Sequence, residues 1–127
     1  MLFSTFLSHL KTWSQQQPDI TGVLLVGSHA RGTARADSDV DLIILTTQPQ
    51  RYLDSITFAE EFGAIAKWQT KDWGRVISRH VWYRDGLEVE FGITLSDWAE
   101  QPLDEGTHRV IANGMKIIFD RDAFVTT

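Results

Sequence analysis

The sequence predicts an α/β chain of the α+β kind, a mixed β-sheet of about five strands with helices packed on it. Three observations carry that expectation. Apolar residues recur at three- and four-residue spacing near the start, short β-branched runs follow, and an Asp-Gly pair joins two alternating segments. The first is a helical period, the second a strand composition, the third a hairpin signal.

Phe3, Phe6, Leu7, Leu10 and Trp13 form the stripe of an amphipathic helix from about Leu2 to Gln16. Pro18 ends it, because proline disfavours helix at the residue before it. Val23 to Val26 is a short apolar strand, and Val40 to Thr46 a β-branched one punctuated by Pro49. Tyr52, Leu53, Ile56, Ala59, Phe62 and Ile65 suggest a second helix. Arg75 to Tyr83 and Leu87 to Ile93 read as strands joined through Arg84, Asp85 and Gly86. Ser96, Asp97 and Trp98 could open a short helix. Thr107 to Ala112 looks helical, Asn113 and Gly114 cap it, and Met115 to Phe119 is a last strand. Alternation of this kind, with one hairpin, implies helices covering a mixed sheet.

At 127 residues the chain fits one domain, 1–127. The absence of cysteine excludes a disulfide framework and thiolate zinc sites, and is consistent with a reducing, cytoplasmic setting. No apolar run approaches the roughly 20 residues that span a bilayer, and no basic n-region precedes the apolar start. The net charge of −5 disfavours nucleic acid as a partner, since such affinity rests on many phosphate contacts. A single nucleotide remains compatible, because cations can screen its phosphates.

The chemistry concentrates in Gly27 to Leu42, GSHARGTARADSDVDL. Asp39 and Asp41 stand at i and i+2 on an expected strand, so both carboxylates leave one face while Val40 and Leu42 point to the core. Two carboxylates on one rim can share two magnesium ions roughly 4 Å apart. A solvated turn through Asp37, Ser38 and Asp39 is the alternative for an isolated pair. Gly27 and Ser28 favour the first reading: a helix opening at Ser28 would aim backbone N–H groups at an anion. Gly32 lets the turn tighten again.

Gly27-Ser28, then Gly32, then Ser38-Asp39-Val40-Asp41-Leu42 resembles the signature of the nucleotidyltransferase superfamily that includes DNA polymerase beta. Six fixed positions between two expected strands are far more specific than a lone glycine-rich loop. The resemblance implies the nucleotidyltransferase fold and Mg²⁺-dependent transfer of NMP, AMP from ATP by analogy, to a hydroxyl acceptor with release of pyrophosphate. It gives nucleotide binding to Gly27, Ser28, Arg31, Gly32 and Ser38, and two Mg²⁺ ions to Asp39, Asp41 and a third carboxylate on a neighbouring strand.

The stretch Tyr83 to Ile93 resembles the N-terminal domain of aminoglycoside adenylyltransferases, and places that third acid, both metal ligand and proton acceptor, at Glu90. Glu88 is the fallback, because Leu87, Val89, Phe91 and Ile93 alternate with both glutamates. Arg31 and Arg35 could neutralise phosphate charge or be solvated; His29 reads as a bystander. His9, His80 and His108 show no metal-ligand spacing, and Trp68, Trp73, Trp82 and Trp98 read as core or sheet packing. Asp120 follows the last strand, where relatives carry an acid and where turn capping serves equally well. Minimal members of the superfamily imply a small helical partner of the HEPN type, or a homodimer, as the source of the acceptor. A non-catalytic antitoxin-like or nucleotide-sensing module is the alternative.

Overall fold

The computed structural model describes residues 2–34, 38–98 and 115–121. Helix α1 (Phe3–Gln15) leads into β1 (Ile20–Val26), a short helix α2 (Gly27–Arg31) and β2 (Val40–Thr46). Next come α3 (Gln50–Leu53), a 3₁₀ segment (Thr57–Phe62), β3 (Ile65–Asp72), β4 (Ile77–Tyr83), β5 (Glu88–Leu95) and β6 (Lys116–Asp120). The strands form one sheet in the order β3-β4-β5-β2-β1-β6. All neighbours are antiparallel except β2 and β5.

The two faces of this sheet have different owners. On one, Val40, Leu42 and Ile44 of β2 and Val89, Phe91 and Ile93 of β5 pack beneath Phe6, Leu10 and Trp13 of α1 and Phe62 of the 3₁₀ segment. Burying such side chains stabilises by roughly 1.5–3 kcal/mol each. Aromatic edges organise the contact: Phe6 meets Phe62 at 5.3 Å, and Trp13 meets Phe62 at 5.5 Å, both edge-on. On the opposite face the described residues include a second, smaller cluster of Leu24, Val26, Ile43, Leu45 and Trp98. The strand period of two puts Asp41 on this second face.

Several expectations need correcting. No long helix spans Tyr52 to Ile65; α3 is one turn long, and Ile65 opens strand β3. Ser55 interrupts the helical path, its hydroxyl accepting from the Thr57 N–H at 3.1 Å, a local competitor to the helix ladder. Its apolar residues still face the core, as buried Tyr52, Ala59 and Phe62 show. The second correction is β3 itself, a sixth strand among the described residues. Its sequence, IAKWQTKD, is mostly exposed and lacks the apolar alternation that marks a half-buried strand. Ser96 to Trp98 forms a turn rather than a helix, and Trp98 is buried. Trp68 and Trp73 are 47% and 63% exposed, so neither packs in the core. The helix expected over Thr107 to Ala112 and its cap, with Arg35, Asp37 and His108, lie outside the described residues.

Among the described residues no helix is long and apolar enough to cross a membrane.

Candidate metal and nucleotide site

The parallel pairing of β2 and β5 decides where the acids meet. Parallel neighbours begin at the same end of a sheet, so early residues of both strands lie side by side. Asp41, second in β2, stands in register with Glu90, third in β5. An antiparallel pair would have sent them to opposite ends. Asp39 is one strand period ahead of Asp41, on the same face. One carboxylate oxygen from each of Asp39, Asp41 and Glu90 lies within 4.8 Å of the other two.

This arrangement is electrostatically costly without a cation. Burial, then the charge of Asp39 and that of Glu90, pushes the Asp41 carboxyl up from 3.8 to about 8. Asp41 Oδ1 and Glu90 Oε1 are buried with no hydrogen-bond partner among the described residues. Buried polar atoms are ordinarily satisfied, so orphan oxygens on two members of one acidic cluster fit a divalent cation. Magnesium suits an all-oxygen set completed by water and phosphate oxygens.

Gly27 closes the site from the β1 side. Its φ is +75°, and a Cβ there would collide with Asp41 Oδ2. The residue is glycine for two reasons, a left-handed backbone and the space the carboxylate occupies. Ser28 and Arg31 follow in α2, Ser28 partly buried and Arg31 exposed. Gly32, also at φ +75°, ends α2, and the Thr33 N–H donates to the Ser28 carbonyl at 2.9 Å. His29 stacks on Phe3 with centroids 4.2 Å apart, and its Nε2 lies 3.4 Å from the Ser38 carbonyl. Far from being detached, His29 ties the turn to α1 and to the residue before Asp39.

Glu88 has a different neighbourhood from Glu90. Its Oε2 sits 2.7 Å from His80 Nε2. His80 stacks on Trp82 with centroids 4.2 Å apart, and the Lys67 ammonium lies 4.7 Å from the Trp82 ring centre. Spacing along the chain does not mark His80, because the acids beside it, Asp39 and Glu88, come from other segments. The signal was the hairpin register, which pairs His80 with Glu90 and Trp82 with Glu88. Asp120 ends β6 opposite Gly22, away from this rim.

Residues 8–96 match the profile of the family described as "Nucleotidyltransferase domain". A Methanocaldococcus jannaschii protein, named provisionally as a protein adenylyltransferase, is 32% identical; the match covers 84% of this chain and 63% of that relative. Solved structures share the fold. The aminoglycoside 6-adenyltransferase of Bacillus subtilis gives a TM-score of 0.59 at 14% identity, over 75% of this chain and 35% of that one. Cid1 in complex with the UTP analogue UMPNPP gives 0.51 at 16%, over 86% and 32%. This chain therefore spans under two-thirds of the relatives it matches. Because the profile match runs through β1, the turn and β2 and on through the partner strand β5, the chain belongs to the nucleotidyltransferase domain family.

Proposed function

We propose that this chain transfers a nucleoside monophosphate, AMP from ATP, to a hydroxyl acceptor with release of pyrophosphate. The observation that carries the reading is the convergence of Asp39, Asp41 and Glu90, two of which carry an orphaned buried oxygen. In this reading the three carboxylates hold two Mg²⁺ ions, which when bound neutralise charge on the α-phosphate and the departing pyrophosphate.

The remaining work belongs to the chain. The Ser28 hydroxyl and the backbone N–H groups of the Gly27–Gly32 turn bind phosphate oxygens, with Ser38 flanking them. Arg31, exposed on α2, reaches the outer phosphates. Glu90 accepts the acceptor's proton as the acceptor oxygen bonds to the α-phosphorus and the bond to the β-phosphate breaks. Positioning supplies most of the acceleration, since no covalent intermediate on the chain is needed.

ATP and a protein hydroxyl are favoured by the name of the archaeal relative. The acceptor would come from a small helical HEPN-type partner or a second copy of the chain, in the cytoplasm. Net charge −5 supports a free nucleotide rather than a nucleic acid as the bound species. Incubation with Mg²⁺ and each α-labelled NTP, in the presence of lysate and of hydroxyl-bearing small molecules, tests this. Label from ATP on a protein is the expected outcome. Binding without any transfer would favour a nucleotide sensor, and neither binding nor transfer would overturn the nucleotide site altogether.

A further inference from the structure

Beside the three carboxylates stands a second convergence of ligand atoms. One each from Asp39, His80 and Glu88 lies within 4.8 Å of the other two. More than proximity points to a ligand here. The His80 side chain is only 8% exposed, and its Nε2 faces Glu88 Oε2 at 2.7 Å. Nor is the ring free to turn outward, being stacked on Trp82, whose own ring lies under the Lys67 ammonium. An imidazole is thus held rigidly, nearly dry, against two carboxylates from other segments of the chain.

We propose that Asp39, His80 and Glu88 form a further divalent-cation site, selective for a borderline transition metal of the Zn²⁺ class. Magnesium is a hard ion that takes oxygen ligands, whereas an imidazole nitrogen suits zinc and its neighbours. Three protein ligands leave a coordination position open, as in sites that also contact a bound molecule. The Nε2–Oε2 pair widens slightly as the ion takes the place of the proton between them. The site shares Asp39 with the carboxylates assigned above to magnesium, and to that extent rests on the proposed function. Occupancy of one site therefore alters affinity at the other.

Calorimetric titration of the metal-free chain with Zn²⁺, in excess Mg²⁺ and without nucleotide, tests the assignment. One Zn²⁺ per chain is expected in the wild type and in Glu90→Gln. Affinity is expected to fall by about tenfold or more in His80→Gln and in Glu88→Gln. Circular dichroism checks that each variant is folded; should His80→Gln unfold, Glu88→Gln carries the comparison. Zn²⁺ affinity equal to the wild type's in folded His80→Gln or Glu88→Gln overturns the site, as does complete displacement by Mg²⁺. Loss of NMP transfer in Glu90→Gln with Zn²⁺ binding retained separates this site from the transfer site.

Discussion

At the scale of single residues, Gly27 and Asp41 constrain each other. The left-handed backbone at Gly27 costs a residue with a Cβ roughly 1–2 kcal/mol, and the Cβ would also strike Asp41 Oδ2. Gly27→Ala is therefore expected to stay folded, lose about that much stability and bind Mg²⁺ at least about tenfold more weakly. Thermal unfolding with and without Mg²⁺ reads both effects, and an unchanged Mg²⁺-induced shift would contradict the steric argument. Asp41 makes a second prediction. Its folded value of about 8 lies above the unfolded 3.8, so between them the native state holds more protons than the unfolded chain. Stability of the metal-free protein is thus greatest below about pH 4 as far as this group is concerned, and falls as pH rises toward about 8. Melting curves from about pH 5 to 8.5 should show that decline in the wild type and a flatter profile in Asp41→Asn. Parallel profiles would contradict it.

At the scale of elements, two attachments hold the frame. Buried Asp19, just before β1, accepts hydrogen bonds from Thr46 Oγ1 and the Tyr52 hydroxyl, both at 2.7 Å, and pairs with Arg51. It therefore joins the start of β1, the end of β2 and α3 at the far end of β2 from Asp41. Asp19→Ala strands two buried hydroxyls and should cost about 3 kcal/mol, read by denaturant unfolding, while Mg²⁺ affinity stays as in the wild type. A change in that affinity equal to the Gly27→Ala effect would show that the two ends are coupled. The second attachment is Arg121, whose guanidinium donates to the carbonyls of Ser14, Gln17 and Ile20 and so closes the end of α1 against β6.

Elements with a strong period were legible beforehand: α1 from its aromatic stripe, β2 from its β-branched run, the β4–β5 hairpin from Asp85-Gly86. Strand β3 was not, because an exposed strand such as IAKWQTKD carries no alternating burial to read. The apolar spacing after Pro49 was real, yet a bent chain satisfies it as well as a helix does. Within the site, Asp39 and Asp41 share a short motif that the sequence displays directly. Glu90 required the alternation of β5 and a resemblance. His80 required cross-strand pairing, which is tertiary information that spacing along one strand does not contain.

At the scale of the whole molecule, the parallel β2–β5 junction is the device from which the site follows. It brings acids from distant parts of the chain to one rim, on the face opposite α1. The face under α1 holds the larger apolar cluster, and the opposite one holds the unpartnered carboxylate oxygens. A division of this kind lets the rim carry unfavourable charge without endangering the core. The most direct test of the account is Mg²⁺-dependent transfer of label from α-labelled ATP by the wild type and by Asp41→Asn, assayed with the same acceptor preparation. The account predicts loss of at least about 100-fold in the variant, with a melting temperature at neutral pH no lower than that of the metal-free wild type. Transfer by Asp41→Asn at the wild-type rate would contradict it.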